Sequence, residues 1–261
     1  MTGAPGPRRR ALVTASSRGL GHACALALAR AGFDIVLNGR DAATLARARQ
    51  AVQAAAPGAD VRTVQADLSQ PCDLRRLAEV AREADVLVAN VGGPPAADWR
   101  ALTAADWRAG LEACLTAPIA LITAAVPAMM ERRWGRVVAI SSGSLRAPIP
   151  GLPVSNAARA GLAGFMGGIA QQAVRQGVTL NSLLPGRFDT DRQRAAIERE
   201  AGAAGLDYAA QRARSERSIP AGRLGDPGEM GAACAFLCSA AAAYMTNQQI
   251  LMDGGSFPGM C

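Results

Sequence analysis

Ala11-Leu12-Val13-Thr14-Ala15-Ser16-Ser17-Arg18-Gly19-Leu20-Gly21 is the stretch on which the fold turns. Ala11 to Thr14 carries no polar alternation and reads as a strand covered on both faces. A helix is expected from about Gly19 to Ala31, ended by Gly32. Between them lies a turn with two glycines. Glycines at a strand-to-helix turn let the backbone approach a pyrophosphate, and the helix N-terminus offers free N–H groups and positive potential. The same residues also suit a tight turn with no ligand, so the pattern gains weight only from its surroundings.

Outward from this turn, short apolar runs alternate with long helical stretches. Strands are expected at Ile35-Val36-Leu37, Val61 to Gln65, Val86 to Ala89, Arg136 to Ile140, Val178 to Leu183 and Gln249 to Met252. Helices are expected over Asp41 to Ala56 and near 70–83, 104–133, 155–175 and 227–239. Apolar strands separated by helices mean a parallel sheet with helices on both faces, a doubly wound α/β fold of seven strands. No repeat or interdomain linker is visible. Residues 1–10, rich in Gly, Pro and Arg, read as a disordered leader, and residues 11–261 as one domain.

Composition excludes chemistry. All 28 basic residues are Arg, and there is one His (His22) and two Tyr (Tyr208, Tyr244) among 261 residues. Without Lys there is no Schiff base and no Walker lysine. A three-His zinc site cannot be built, and no metal is expected. A net charge of +7 with scattered arginines and few aromatics describes a solvated surface, not a nucleic-acid platform. The six cysteines form no CxxC pair, and Cys234 and Cys238, one turn apart, read as packing. Free thiols suit a reducing, cytoplasmic setting. With no uninterrupted run of 18 apolar residues, no membrane span is expected.

Taken in order, these segments resemble the short-chain dehydrogenase/reductase family over nearly the whole chain. Thr14 to Gly21 resembles its TGxxxGxG turn, with Ala15 where the family usually has Gly. Asn90-Val91-Gly92-Gly93 resembles the NNAG turn, and Asp67-Leu68 the pair that reads adenine. Pro185-Gly186-Arg187-Phe188-Asp189-Thr190 resembles the segment flanking the nicotinamide, and Asp253-Gly254-Gly255 matches the family's C-terminal DGG. The resemblance implies a Rossmann-type sheet and a nicotinamide cofactor bound by Thr14, Ser16, Ser17, Arg18, Gly19, Leu20, Gly21, Arg40, Asp67, Leu68, Asn90, Gly92, Arg159, Pro185, Gly186 and Thr190. Enzymes that use NAD place an acid after the second strand, whereas a 2′-phosphate calls for Arg. This chain has Asn38-Gly39-Arg40 there and Arg18 in the turn, so NADP(H) is favoured over NAD(H).

At the catalytic end the pattern breaks. The family uses Asn, Ser and Tyr-x-x-x-Lys. Ile140-Ser141-Ser142 carries the Ser, but Ser155-Asn156-Ala157-Ala158-Arg159 stands where Tyr-x-x-x-Lys is expected, and Cys114 stands at the Asn position. Ser142, Ser155 and Arg159 are therefore the catalytic candidates. This Ser-Asn-x-x-Arg pattern resembles a recurring subtype whose members are still labelled reductases. An aliphatic alcohol is a far weaker acid than a phenol, so Ser155 would relay a proton from water.

The family's substrate lid corresponds to about residues 187–222. It holds Arg187, Arg192, Tyr208 and further arginines, including Arg194 and Arg212. Tyr208 is a candidate proton donor or a packing residue. The arginines either steer an acidic or carrier-bound substrate or form a solvated face. The expected activity is NADP(H)-dependent reduction of a ketone or imine, with a non-redox isomerase, dehydratase or cyclase, or a nucleotide-binding pseudoenzyme, as alternatives. Gly161, Gly164, Gly167 and Gly168 give one helix a small-residue face, which suits packing in a homodimer or homotetramer or against the chain's own neighbouring helix.

Overall fold

The computed structural model describes residues 8–259. Seven parallel strands are present: β1 (Arg10–Val13), β2 (Asp34–Gly39), β3 (Val61–Gln65), β4 (Val86–Asn90), β5 (Gly135–Ile140), β6 (Val178–Pro185) and β7 (Gln249–Met252). Their order in the sheet is β3-β2-β1-β4-β5-β6-β7. Ala11 of β1 pairs with Ile35 on one side and Val86 on the other. The strand order reverses between β1 and β4, and the crevice beyond the carboxyl ends of these two strands is where open α/β sheets bind ligands.

The helices are α1 (Gly19–Arg30), α2 (Ala42–Ala55), α3 (Pro71–Glu83), α4 (Ala104–Leu111), α5 (Ala117–Glu131), α6 (Pro153–Val174), α7 (Asp191–Ala204), α8 (Tyr208–Arg217) and α9 (Pro227–Cys238). Successive strand residues point to opposite faces. Ala11, Val13, Ile35, Leu37, Val86 and Val88 pack with Leu28 of α1, Val52 of α2 and Met230 of α9. Leu12, Val36, Leu87 and Val137 pack with Leu77 of α3, Ile122 of α5 and Leu162 of α6. Each such side chain, fully buried, contributes about 1.5–3 kcal/mol. Small residues let the helices approach closely: a Cβ at Gly231 of α9 would stand 2.5 Å from the Ala23 carbonyl oxygen of α1. Cys24, Cys234 and Cys238 share this α1–α9 seam as free, buried thiols. Cys24 and Cys234 are raised well above an ordinary thiol, each by a hydrogen-bonded neighbouring thiol together with burial.

Three expectations change. Arg10 opens β1, and Arg9 lies 3.8 Å over the Trp134 ring, so ordered chain starts before residue 11; residues 1–7 of the expected leader lie outside the described residues. The stretch 104–131 is long and apolar enough by length and composition to cross a membrane, which an uninterrupted-run criterion misses. Here Leu121, Ile122, Ala125 and Met129 bury it against the sheet. It is interrupted at Glu112–Thr116 by a π turn. The small-residue face of α6 divides: Gly161 is filled by Leu115 and Gly167 by Asn247, while among the described residues a Cβ at Gly164 or Gly168 would meet nothing within 4 Å beyond its own helix.

Candidate active site

The turn after β1 is assembled by two asparagines. Thr14 Oγ1 donates to the Asn90 carbonyl (2.7 Å) and accepts from the Asn90 N–H (2.9 Å), clasping the ends of β1 and β4. Asn90 Nδ2 donates to the Ala15 carbonyl at 3.1 Å. Asn38 Oδ1 accepts from the Ala15 N–H at 3.1 Å, while its Nδ2 donates to Val64 and Ala66 carbonyls at 3.2 and 3.0 Å. Ser16 Oγ donates to the Val13 carbonyl (2.7 Å) and accepts from the Asn38 N–H (3.0 Å). Ala15 thereby holds φ at 44°, a left-handed conformation that favours glycine, which explains the family's preference there. Gly21 cannot bear a side chain: a Cβ would lie 2.6 Å from both the Ala15 oxygen and Asn90 Nδ2.

Arg18 precedes α1 without a capping side-chain bond, and the first turn contains no acid. By contrast, Asp41, Thr103, Thr190, Asp207 and Asp226 each cap their own helix. An uncapped N-terminus at the sheet's switch point is what a dinucleotide pyrophosphate requires. Ser17 packs at Gly39, where a Cβ would be 3.2 Å from its hydroxyl. Arg18 is exposed beside Asp41. Arg40 is exposed and reaches to 3.8 Å of Asp67. Burial pushes the Asp67 carboxyl up, but hydrogen bonds from Ser69 and the charge of Arg40 outweigh it and hold the carboxyl below its usual range. Leu20 and Leu68 are half-buried against the two cores.

Across the crevice, Thr190 faces Gly19, a Cβ on which would meet Thr190 Cγ2 at 3.8 Å. Thr190 Oγ1 also accepts from the Gln193 N–H, starting α7. Pro185 ends β6, and Gly186 donates to the Met252 carbonyl at 2.9 Å. A Cβ on Gly186 would fall 2.7 Å from Asp253 Cβ, and Asp253 itself accepts from the Gly255 and Phe257 N–H groups. The Asp253-Gly254-Gly255 motif is thus a packed turn supporting the Pro185-Gly186 segment.

Ser155 and Arg159 lie one helical turn apart at the start of α6 and are only 6% and 7% exposed. Arg159 Nε donates to Ser155 Oγ at 3.1 Å, and its Nη1 donates to the Ile140 carbonyl at 3.1 Å. Ile140 ends β5, two residues before Ser142, whose Oγ accepts from the Ser144 N–H at 3.1 Å. In both serines the oxygen accepts a hydrogen bond, which leaves the O–H proton to donate. Burial lowers the Arg159 pKa, yet a guanidinium stays protonated in proteins even when buried. Cys114 sits in the π turn and donates to the Gly92 carbonyl at 3.4 Å. Gly92 opens on empty space.

The residues of the expected lid separate into two groups. Asp189 pairs with Arg194 (2.7 Å) and Arg212 (2.9 Å), and Arg212 pairs with Glu216 (3.0 Å), so these arginines hold α7 to α8. Tyr208 opens α8 beside Arg212, in this ion cluster. Arg187 donates to Ser218 Oγ at 3.4 Å. Arg192 turns instead to the crevice, donating to the Pro94 carbonyl at 3.4 Å. Sequence reading overlooked Asn38 as a structural clamp; a buried amide between Leu37 and Gly39 was its only trace.

Residues 14–256 match the protein family described as Enoyl-(Acyl carrier protein) reductase. The chain is 32% identical over 251 residues to the 3-oxoacyl-[acyl-carrier-protein] reductase FabG of Escherichia coli (strain K12), covering 95% of this chain and 96% of that one. Its fold superposes with a TM-score of 0.91 on YwfH, an NADPH-dependent reductase involved in bacilysin biosynthesis, at 27% identity over 97% of this chain and 100% of that one. It superposes equally, with a TM-score of 0.91, on the L-sorbose reductase of Gluconobacter frateurii complexed with NADPH and L-sorbose, at 25% identity, covering 97% and 98%. With motif order, sheet topology and turn geometry in agreement, the chain belongs to the short-chain dehydrogenase/reductase family.

Proposed function

We propose that this chain is an NADP(H)-dependent oxidoreductase that reduces a ketone or imine through a site in which Ser155 and Arg159 replace the family's Tyr and Lys. NADPH-bound and NADPH-dependent relatives support the cofactor, and Arg18 and Arg40 suit its 2′-phosphate. The uncapped start of α1 and the cradle of Gly19, Gly21 and Gly92 would receive the pyrophosphate, and Thr190, Pro185 and Gly186 would flank the nicotinamide. The chain from Arg10, which opens β1, acts as one domain with 187–222 as its lid. The observation that carries the reading is the hydrogen bond from Arg159 Nε to Ser155 Oγ.

When bound, the cofactor supplies the hydride. Ser142 and Ser155 donate O–H hydrogen bonds to the substrate oxygen and orient its carbonyl carbon. As negative charge grows on that oxygen, the Arg159 cation stabilises it through Ser155. The proton that completes the alcohol comes from water by way of the Ser155 hydroxyl, since Ser155 stands where the family has its Tyr. Arg159 would also hold ribose hydroxyls, the task that Lys performs in the family, through N–H groups on its Nη1–Nη2 side, while its Nε–Nη2 edge faces the substrate.

NADPH oxidation with a panel of ketones and imines tests this reading. Ser142→Ala should abolish turnover, and Ser155→Ala should lower kcat by about 100- to 1000-fold, as loss of one oxyanion donor does. Absence of NADPH binding by fluorescence titration would sink the proposal. Should Ser155→Tyr with Arg159→Lys create carbonyl reduction absent from the parent, the native chemistry is non-redox. The resemblance to acyl-carrier-protein reductases makes acyl substrates part of the panel. A homodimer or homotetramer is the proposed assembly, to be checked by light scattering.

A further inference from the structure

Two guanidinium groups meet over Gly93. A Cβ placed on Gly93 would be 3.1 and 3.2 Å from the two terminal nitrogens of Arg192 and 3.6 Å from Arg159 Nη2. Arg159 spends Nε on Ser155 and Nη1 on Ile140, so among the described residues Nη2 is its one nitrogen with no protein acceptor. Among the described residues Arg192 makes a single bond, to the Pro94 carbonyl at 3.4 Å. Among the described residues neither arginine pairs with a carboxylate: Asp189 and Asp191, the acids closest in sequence to Arg192, are taken by Arg194 and Arg212. The nearby Cys114 thiol offers no counter-charge, because burial pushes its pKa up against the pull of both arginines. A buried guanidinium facing a second one, with no anion, is unfavourable until an anion arrives.

We propose that this pair binds a carboxylate of the substrate, and that the substrate is a small oxo acid whose carboxylate lies one or two carbons from the reacting carbonyl. The inference rests on the reductase reading above and names its substrate class. The spacing comes from Arg159 itself. Its Nε and Nη2 form one edge of the planar fork. Ser155 Oγ occupies the Nε end, and the substrate carbonyl oxygen sits on that hydroxyl. The Nη2 end, directly beside it, takes a carboxylate oxygen, and Arg192 takes the other. A long acyl chain with its charge far away does not satisfy both ends. Arg192 arrives on the first turn of α7, so substrate charge also draws the lid helix onto the site.

The test compares a 2-oxo acid and a 3-oxo acid with their methyl esters, together with a 3-oxoacyl thioester, in the full-length protein. The parent should favour an acid over its ester by about 10-fold or more in kcat/KM, the range of a lost charge-assisted bond. Arg192→Leu, a change at an exposed position, should raise KM for the acid about 10- to 100-fold. It should leave KM for the ester and the Kd for NADPH within about twofold. Independently, oxamate should bind the parent in the presence of NADP⁺ by calorimetry and lose binding in Arg192→Leu. The inference is overturned if esters or the thioester are preferred, or if Arg192→Leu weakens NADPH and all substrates alike, which would assign Arg192 to the cofactor. Failure of NADPH to bind, or of any carbonyl to oxidise it, strikes the reductase reading itself and is separable from these outcomes.

Discussion

At the scale of single residues, Ala15 and Asn38 form one device. Ala15 adopts φ of 44°, where a methyl group costs about 1–2 kcal/mol relative to glycine. Asn38, 1% exposed, holds it there with one accepted and two donated hydrogen bonds. Ala15→Gly should relieve the strain, partly offset by glycine's greater unfolded entropy, for a net gain of up to about 1 kcal/mol. Asn38→Ala should cost about 2–4 kcal/mol by stranding buried partners, and should weaken NADPH binding because the phosphate turn loosens. Denaturant melts with and without NADPH check both. The Ala-for-Gly departure was readable in the sequence, but its consequence was not, since a dihedral angle is set by partners that come from β2, β3 and β4. Similarly, Ser155 and Arg159 were legible from their four-residue spacing. The meeting of Arg192 with Arg159 over Gly93 required the fold, because 33 residues and a helix-to-lid crossing separate them.

Among the elements, strands and helices were legible because their signals are local: apolar runs for β1 to β7, and helical stretches between them such as the one that Gly32 ends. The π turn at Glu112–Thr116 carries no comparable signature, and it is what points Cys114 at Gly92. The lid shows the limit of reading charges one at a time. Its arginines look alike in sequence, yet Arg194 and Arg212 are committed to Asp189, whose side chain is 24% exposed, while Arg192 is free to face the crevice. Asp189→Ala should release both arginines and loosen α8 from α7. Partly exposed ion pairs are each worth about 0.2–1 kcal/mol, so global stability should fall by no more than about 2 kcal/mol. Cleavage within 187–222 by limited proteolysis should rise several-fold, together with KM for the carbonyl substrate.

For the whole molecule, His22 is the one side chain whose ordinary pKa lies near neutrality. Burial lowers its pKa, against the pull of the Ser16 backbone, and among the described residues its Nδ1 has no partner. The unfolded chain, with its pKa near 6.5, therefore binds a proton more readily than the folded one. Stability from keeping His22 neutral is fully present above about pH 6.5 and is lost as pH falls from there through the lower folded value. A melting series from about pH 7.5 to 5 should show this decline, and His22→Gln should flatten it. Carboxylates such as Glu229, held at about 2 by Arg223, leave that window undisturbed. The α1–α9 seam has a different consequence. Its thiols are sealed between the helix that begins at the phosphate turn and the helix that supports it, so a reagent can reach Cys24 or Cys234 only when this half of the molecule opens. Those sulfurs are sentinels of local breathing: their rate of modification is a clock for how often the nucleotide-binding half comes apart while the rest stays folded.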